Sequence, residues 1–307
     1  MSGLDRAVAD YLAVRRALGY KLARPEKLLA QFTAYLDQAG AVTVTADNAL
    51  AWAVLPGGSP AWHAYRLAVV RGFAAWLRTV DPAAEIPPAG LIPSRKQRAT
   101  PYLYADGEVT ALMAATESLR FPLRAATYRT LVGLLAVTGM RVGEAISLDL
   151  GDADLDNGVL TVRNGKHGKS RLVPLHGTAV RELRDYLKVR DRFFPGDART
   201  TAVLISPAGT RLLYCNVHAT WKKLASAAGL APRSGSCRPR IHDLRHSFAV
   251  RTMLDAYESG RDGQATLAAL STYLGHADPR ATYWYLTASP ELMAGAGQRL
   301  GTWLEQP

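Results

Sequence analysis

Cysteine is nearly absent. Cys215 and Cys237 are the only two in 307 residues, too few for a disulfide framework or a zinc knuckle. No apolar run approaches the roughly 20 residues that a membrane-crossing helix needs. The opening Met1-Ser2-Gly3-Leu4-Asp5-Arg6 lacks the basic-then-apolar layout of a secretion signal. These absences point to a soluble protein of a reducing, cytoplasmic compartment with no membrane partner. Also missing are an aspartate cluster suited to Mg²⁺ and a serine elbow suited to acyl transfer. There is no internal repeat and no low-complexity tract.

Positive charge, by contrast, is in excess. The net charge is +11, which attracts polyanions, nucleic acid being the usual one. Hydrophobic content of 48% and charged content of 21% are those of a globular protein. The length is too great for one small core and suggests two domains.

The first stretch, residues 1–88, reads as an all-helical domain. Leu28, Leu29, Phe32 and Leu36 fall at helical spacing. Ser59-Pro60 is a helix-start pair, and the helix after it carries Leu67, Val70, Ala74 and Leu77 on one face. Its other face shows Arg66, Arg71 and Arg78, which suit either phosphate contact or a simply solvated surface. Pro82, Pro87, Pro88, Pro93 and Pro101 then interrupt any helix, which marks residues 89–101 as a linker. Its centre carries Arg95, Lys96 and Arg98, charges that a linker crossing DNA needs and that ordinary solvated linkers also carry.

A larger domain, residues 102–307, follows. "EVTALMAATE" and "TYRTLVGLLAVTG" read as helices, with Gly139 placed to end the second. "GVLTV" and "RLVPL" read as an antiparallel hairpin, and "AVLIS" as a third strand. The rest is mostly helical, with a last helix from about residue 290. The expected fold class is mainly α with a small antiparallel sheet, α+β.

The hairpin loop contains Gly168-Lys169-Ser170, a fragment of a phosphate-cradling nucleotide motif. That motif needs a glycine at position 163, where Arg163 stands, and a helix after the serine, where "RLVPL" reads as strand. Both requirements fail. The loop is better read as a hairpin tip bearing Lys166 and Lys169.

Four stretches carry the chemistry. In "TGMRVGEAISL", Arg141 and Glu144 stand three apart, so the carboxylate can fix the guanidinium beside an anion. In "IHDLRHSFAVRTML", His242, Arg245 and His246 recur at one-turn spacing, a plausible phosphate clamp. The spacing of His242 and His246 also suits a metal. Asp243, however, follows the first histidine where zinc proteases have glutamate, and Arg245 disfavours a cation. "YLGHADPRATYWYL" offers His276, then Tyr283 and Tyr285 on a short helix opened by Asp278-Pro279. Arginines can neutralise a phosphorane-like transition state. A tyrosine can attack phosphorus, and a lysine or histidine can protonate the leaving oxygen.

Taken in order, "TGMRVGE", "GKHGKSRLVPL", "HDLRH", "LGH" and a tyrosine nine residues on resemble the tyrosine recombinases of the phage-integrase class. The resemblance covers residues 102 to about 290, and the first domain is similar to that family's helical DNA-clamping, SAM-like domain in architecture only. It implies that Arg141, Lys166, His242, Arg245, His276 and Tyr285 form the catalytic set. Tyr285 would be the nucleophile, Lys166 the general acid, Glu144 the support of the arginine pocket, and His246 structural. The implied reaction exchanges strands at a specific double-stranded DNA site through a 3′-phosphotyrosine and a Holliday junction, with no metal, ATP or other cofactor. Implied partners are the DNA site, further copies of the chain in a tetramer, and accessory DNA-bending or directionality proteins. The implied location is the nucleoid of a prokaryotic cytoplasm. The segment "LDAYESGRDGQATLAAL", residues 254–270, is longer than most family members carry. The alternatives are a type IB topoisomerase-like relaxing enzyme, a non-catalytic DNA-binding protein, and a metallohydrolase built on His242, His246 and His276.

Overall fold

The computed structural model describes residues 3–94, 99–163, 170–195 and 199–275. Its chain divides into two compact units, Met1–Arg98 and Ala99–Pro307.

The first unit holds α1 (Gly3–Ala17), α2 (Ala23–Gln38), α3 (Ala46–Val54) and α4 (Pro60–Leu77), with no strand among its described residues. The stripe Leu28, Leu29, Phe32 and Leu36 is buried in one core with Leu4, Val8 and Leu12 of α1 and Leu67, Val70 and Leu77 of α4. Each such aliphatic side chain contributes about 1.5–3 kcal/mol on full burial. Ser59 caps α4 as its sequence implies: its hydroxyl accepts the Trp62 N–H at 3.3 Å, with Pro60 opening the helix.

The second unit runs α5 (Asp106–Ala115), α6 (Pro122–Thr138), α7 (Val142–Ser147), β1 (Ala153–Asp154), β2 (Val159–Val162), β3 (Arg171–Pro174), α8 (Gly177–Phe193), α9 (Tyr214–Ala227), α10 (Asp243–Glu258) and α11 (Gly263–Leu274). It is mainly helical, with one antiparallel sheet in the order β1-β2-β3. Leu160 pairs with Val173 and Val162 with Arg171. Opposed residues of an antiparallel pair share a face. The core face therefore carries Leu160, Val162 and Val173, and Arg171 lies on that same face. Leu172, between them in sequence, is exposed.

The hairpin lies where the pattern places it, but "AVLIS" is not the third strand; Ala153–Asp154 is. Ala202, Val203, Leu204 and Ile205 are all fully buried, so the run is apolar on both faces and lies among helices. It makes only isolated bridges, Asp149 with Ala202 and Ile205 with Arg211. Side chains complete its hydrogen bonding: Tyr186 Oη accepts from the Ile205 N–H and Thr127 Oγ1 donates to the Ile205 carbonyl. Likewise, the long segment after "HDLRH" is the end of α10, a short turn and the start of α11. Asp262 caps α11 by accepting the Gln264 N–H at 2.8 Å.

Gly139 ends α6 in the left-handed region, at φ 59°. A β-carbon there would stand 2.5 Å from Phe248 Cδ1. Gly139→Ala is therefore expected to cost about 1–3 kcal/mol, read as a lowered urea midpoint with an unchanged m-value. No helix among the described residues is long and apolar enough to cross a membrane.

Candidate active site

Arg141 occupies the cap position of α7, and Glu144 lies one turn inside. The Glu144 carboxylate accepts the Arg141 backbone N–H at 3.0 Å and the Arg141 Nη1–H at 2.7 Å. The predicted pair thus exists, but it is not alone. Arg171 reaches across from β3 and donates from Nη1 at 3.1 Å and from Nη2 at 2.7 Å to the same carboxylate. Burial pushes the Glu144 carboxyl up. The Arg171 hydrogen bonds, the Arg141 N–H, the Arg171 charge and the Arg141 side-chain hydrogen bond outweigh that and hold it at about 2. Glu144 is consequently ionised throughout the working pH range.

Arg245, on the first turn of α10, is buried to 1% exposure. Its Nη1 donates to the Gly139 carbonyl at 2.9 Å and its Nη2 to the Leu274 carbonyl at 2.6 Å. One side chain thereby ties the end of α6, just before Arg141, to the end of α11, just before His276. Three segments distant in sequence converge on this guanidinium.

His242, exposed, stands at the cap position of α10 without a side-chain capping hydrogen bond, its ring 5.4 Å from that of the buried His246. Crowding by the surrounding protein and the charges of Arg245, Arg141 and Arg240 press its pKa down to about 4, against a smaller opposite pull from Glu144. The ring is neutral at pH 7, and the cationic surroundings that keep it so also repel a metal ion. Because the folded pKa lies below the unfolded value of about 6.5, the associated stability is complete above that value. It is lost as pH falls toward 4. NMR titration of the free protein is expected to place the His242 midpoint near 4, and DNA phosphate should raise it.

Among the predicted residues, Arg141, Glu144, His242 and Arg245 are brought together. Lys166, Lys169, His276, Tyr283, Tyr285, Arg95, Lys96, Arg98 and the helix expected from residue 290 lie outside the described residues. Beside that loop, Ser170 leads into β3 and not into a helix, so the nucleotide-motif geometry is absent there. Arg66 departs from the expected phosphate-facing row. It is 6% exposed, donates to the Trp52 carbonyl at 2.8 Å and lies 3.6 Å above the Trp52 ring. Arg71 is at the surface, with its Nε donating to the Pro87 carbonyl at 2.9 Å.

Sequence reasoning missed Arg171 and Arg240. The alternation of "RLVPL" carried a signal for the first, since Arg171 stands two residues from the core-facing Val173. Arg240 grips the buried Asp243 carboxylate from Nε and Nη2, both at 2.9 Å, and so braces the start of α10.

Paired arginines and a neutral histidine beside an antiparallel hairpin in a helical domain agree with the tyrosine-recombinase resemblance of the sequence. Residues 102–291 match the phage integrase family, to which the chain belongs. It is 43% identical to an integrase/recombinase of Sinorhizobium fredii, y4rB, over 98% of each chain. It is 30% identical to the tyrosine recombinase XerD of Staphylococcus saprophyticus, over 73% of this chain and 70% of that one. In fold it resembles the Tn1549 transposon integrase solved with transposon right end DNA, with a TM-score of 0.63 at 16% identity over 96% and 99% of the two chains. The protein is a site-specific recombinase of this enzyme class.

Proposed function

We propose that this recombinase breaks and rejoins double-stranded DNA through a covalent tyrosine intermediate. Arg141 and Arg245 bind the scissile phosphate and neutralise charge that builds on its oxygens. His242, neutral and donor-capable, hydrogen-bonds a phosphate oxygen, with His276 assisting. Tyr285 Oη attacks phosphorus, its proton passing to water as the P–O5′ bond breaks, and leaves a 3′-phosphotyrosine. Lys166 gives a proton to the departing 5′-oxygen. The 5′-hydroxyl of a second strand then reverses the step, through a Holliday junction, in a tetramer on two duplexes. The bond energy is conserved in the ester, so the cycle needs neither ATP nor metal. Residues 1–88, the basic linker 89–101 with Arg95, Lys96 and Arg98, and Arg71 hold the duplex. Accessory DNA-bending or directionality proteins set the outcome at the nucleoid. Arg66, packed on Trp52, holds the first unit together instead.

The observation that carries this reading is the convergence of Arg141 and His242 beside the buried Arg245 guanidinium, with Glu144 ionised next to Arg141. Strand exchange, in preference to relaxation of one duplex, is supported by the integrase/recombinase relative that spans both chains almost completely. The test uses nicked duplexes tiled across the DNA that flanks the protein's own gene. A denaturation-resistant protein–DNA adduct, formed in excess chelator, is expected. Chelator-sensitive cleavage without an adduct would refute the proposal.

A further inference from the structure

We infer that Arg171 is a positioning residue for strand cleavage, acting through Glu144 to orient Arg141 and to keep the arginine pocket positive. The inference rests on the recombinase reading above.

The electrostatics come first. Arg141 and Glu144 alone form an ion pair of zero net charge, a poor receptor for a phosphate diester. Arg171 adds a second cation to the same carboxylate, so the three groups together carry one positive charge. The carboxylate is shielded from solvent, 7% exposed, and the Arg171 side chain is 14% exposed. Their interaction is thus screened less than a surface pair.

One Glu144 oxygen accepts from Arg141 Nη1 and Arg171 Nη1, and the other from the Arg141 backbone N–H and Arg171 Nη2. Four donors in fixed directions leave the carboxylate one orientation. That orientation fixes the Arg141 guanidinium and the start of α7 together. Removing Arg171 takes away both contacts from β3, and a buried carboxylate short of donors re-pairs with whatever cation is near.

Arg171 belongs to the hairpin that carries Lys166. Its guanidinium also abuts Gly275, the residue before His276: a β-carbon at Gly275 would stand 3.3 Å from Arg171 Nη1. Arg171 therefore joins the hairpin, the Arg141 turn and the end of α11 in one contact set. None of its described contacts requires it to touch DNA.

Single-turnover adduct formation on the nicked duplexes tests this, with DNA Kd measured in parallel. Arg171→Gln is expected to slow cleavage by about 10- to 100-fold, the usual loss when an outer partner of an active-site group is removed. DNA Kd should change by less than about threefold. Arg171→Lys keeps the charge but not the planar fork, so it should bind DNA normally and recover only part of the rate. Arg171→Gln combined with Glu144→Gln should be no slower than Glu144→Gln alone, because one residue works through the other. Wild-type cleavage by Arg171→Gln, full rescue by Arg171→Lys, multiplied losses in the double variant, or a Kd that weakens as much as the rate falls would each overturn the inference. If Arg171→Gln fails to fold, Arg171→Lys still decides between fork and charge. Failure of the unaltered protein to form any adduct would instead remove the recombinase chemistry itself.

Discussion

Arg245→Gln is expected to slow single-turnover strand cleavage by about 10²- to 10³-fold, the range for losing one preorganised donor to developing charge. The same substitution is expected to lower stability, because the carbonyls of Gly139 and Leu274 lose a charged donor in a buried setting. An unsatisfied buried acceptor costs about 1–3 kcal/mol. The two effects are separable. Arg245→Lys keeps the charge while losing the fork that spans both carbonyls, so it should restore more DNA affinity than stability. Thermal denaturation without DNA reads the anchoring role, and the cleavage rate below the melting transition reads the phosphate role. Wild-type cleavage by a folded Arg245→Gln would remove Arg245 from the chemistry and leave it only as an anchor.

Tyr285→Phe is expected to eliminate the covalent adduct altogether. The phenol oxygen is the proposed nucleophile, and no neighbouring group can replace a bond that never forms. The ring remains, so packing and DNA binding should be preserved. Tyr283→Phe is the matched control, since Tyr283 lies two residues early for the position nine residues after His276. It should form adduct at a rate close to that of the unaltered protein. The reverse pattern would exchange the roles of the two tyrosines and undo the positional argument.

Much of this protein was legible in its sequence wherever one residue's job is local. Ser59-Pro60 begins a helix, Gly139 ends one, and the stripe from Leu28 to Leu36 is core, because capping, backbone freedom and periodicity act over a single turn. The Arg141–Glu144 pair belongs to the same group. Residues whose fate depends on distant partners were harder to read. "AVLIS" looks like a strand from its composition, yet it lies buried among helices, and the Tyr186 and Thr127 hydroxyls and the Leu148 carbonyl take up its hydrogen bonds. Arg66 looks like a surface cation and instead packs on Trp52, fourteen residues away. Arg171 meets Glu144 across 27 residues of chain, and only the register of β2 with β3 turns it inward.

In the proposed reaction Tyr285 carries the DNA between cleavage and rejoining. The most direct test is to trap the adduct on a nicked duplex, digest the protein and the DNA, and sequence the nucleotide-bearing peptide by mass spectrometry. The expected result is a phosphodiester remnant on Tyr285 with a free 5′-hydroxyl on the released strand. A remnant on Tyr283, or cleavage products with no peptide attached, would contradict it.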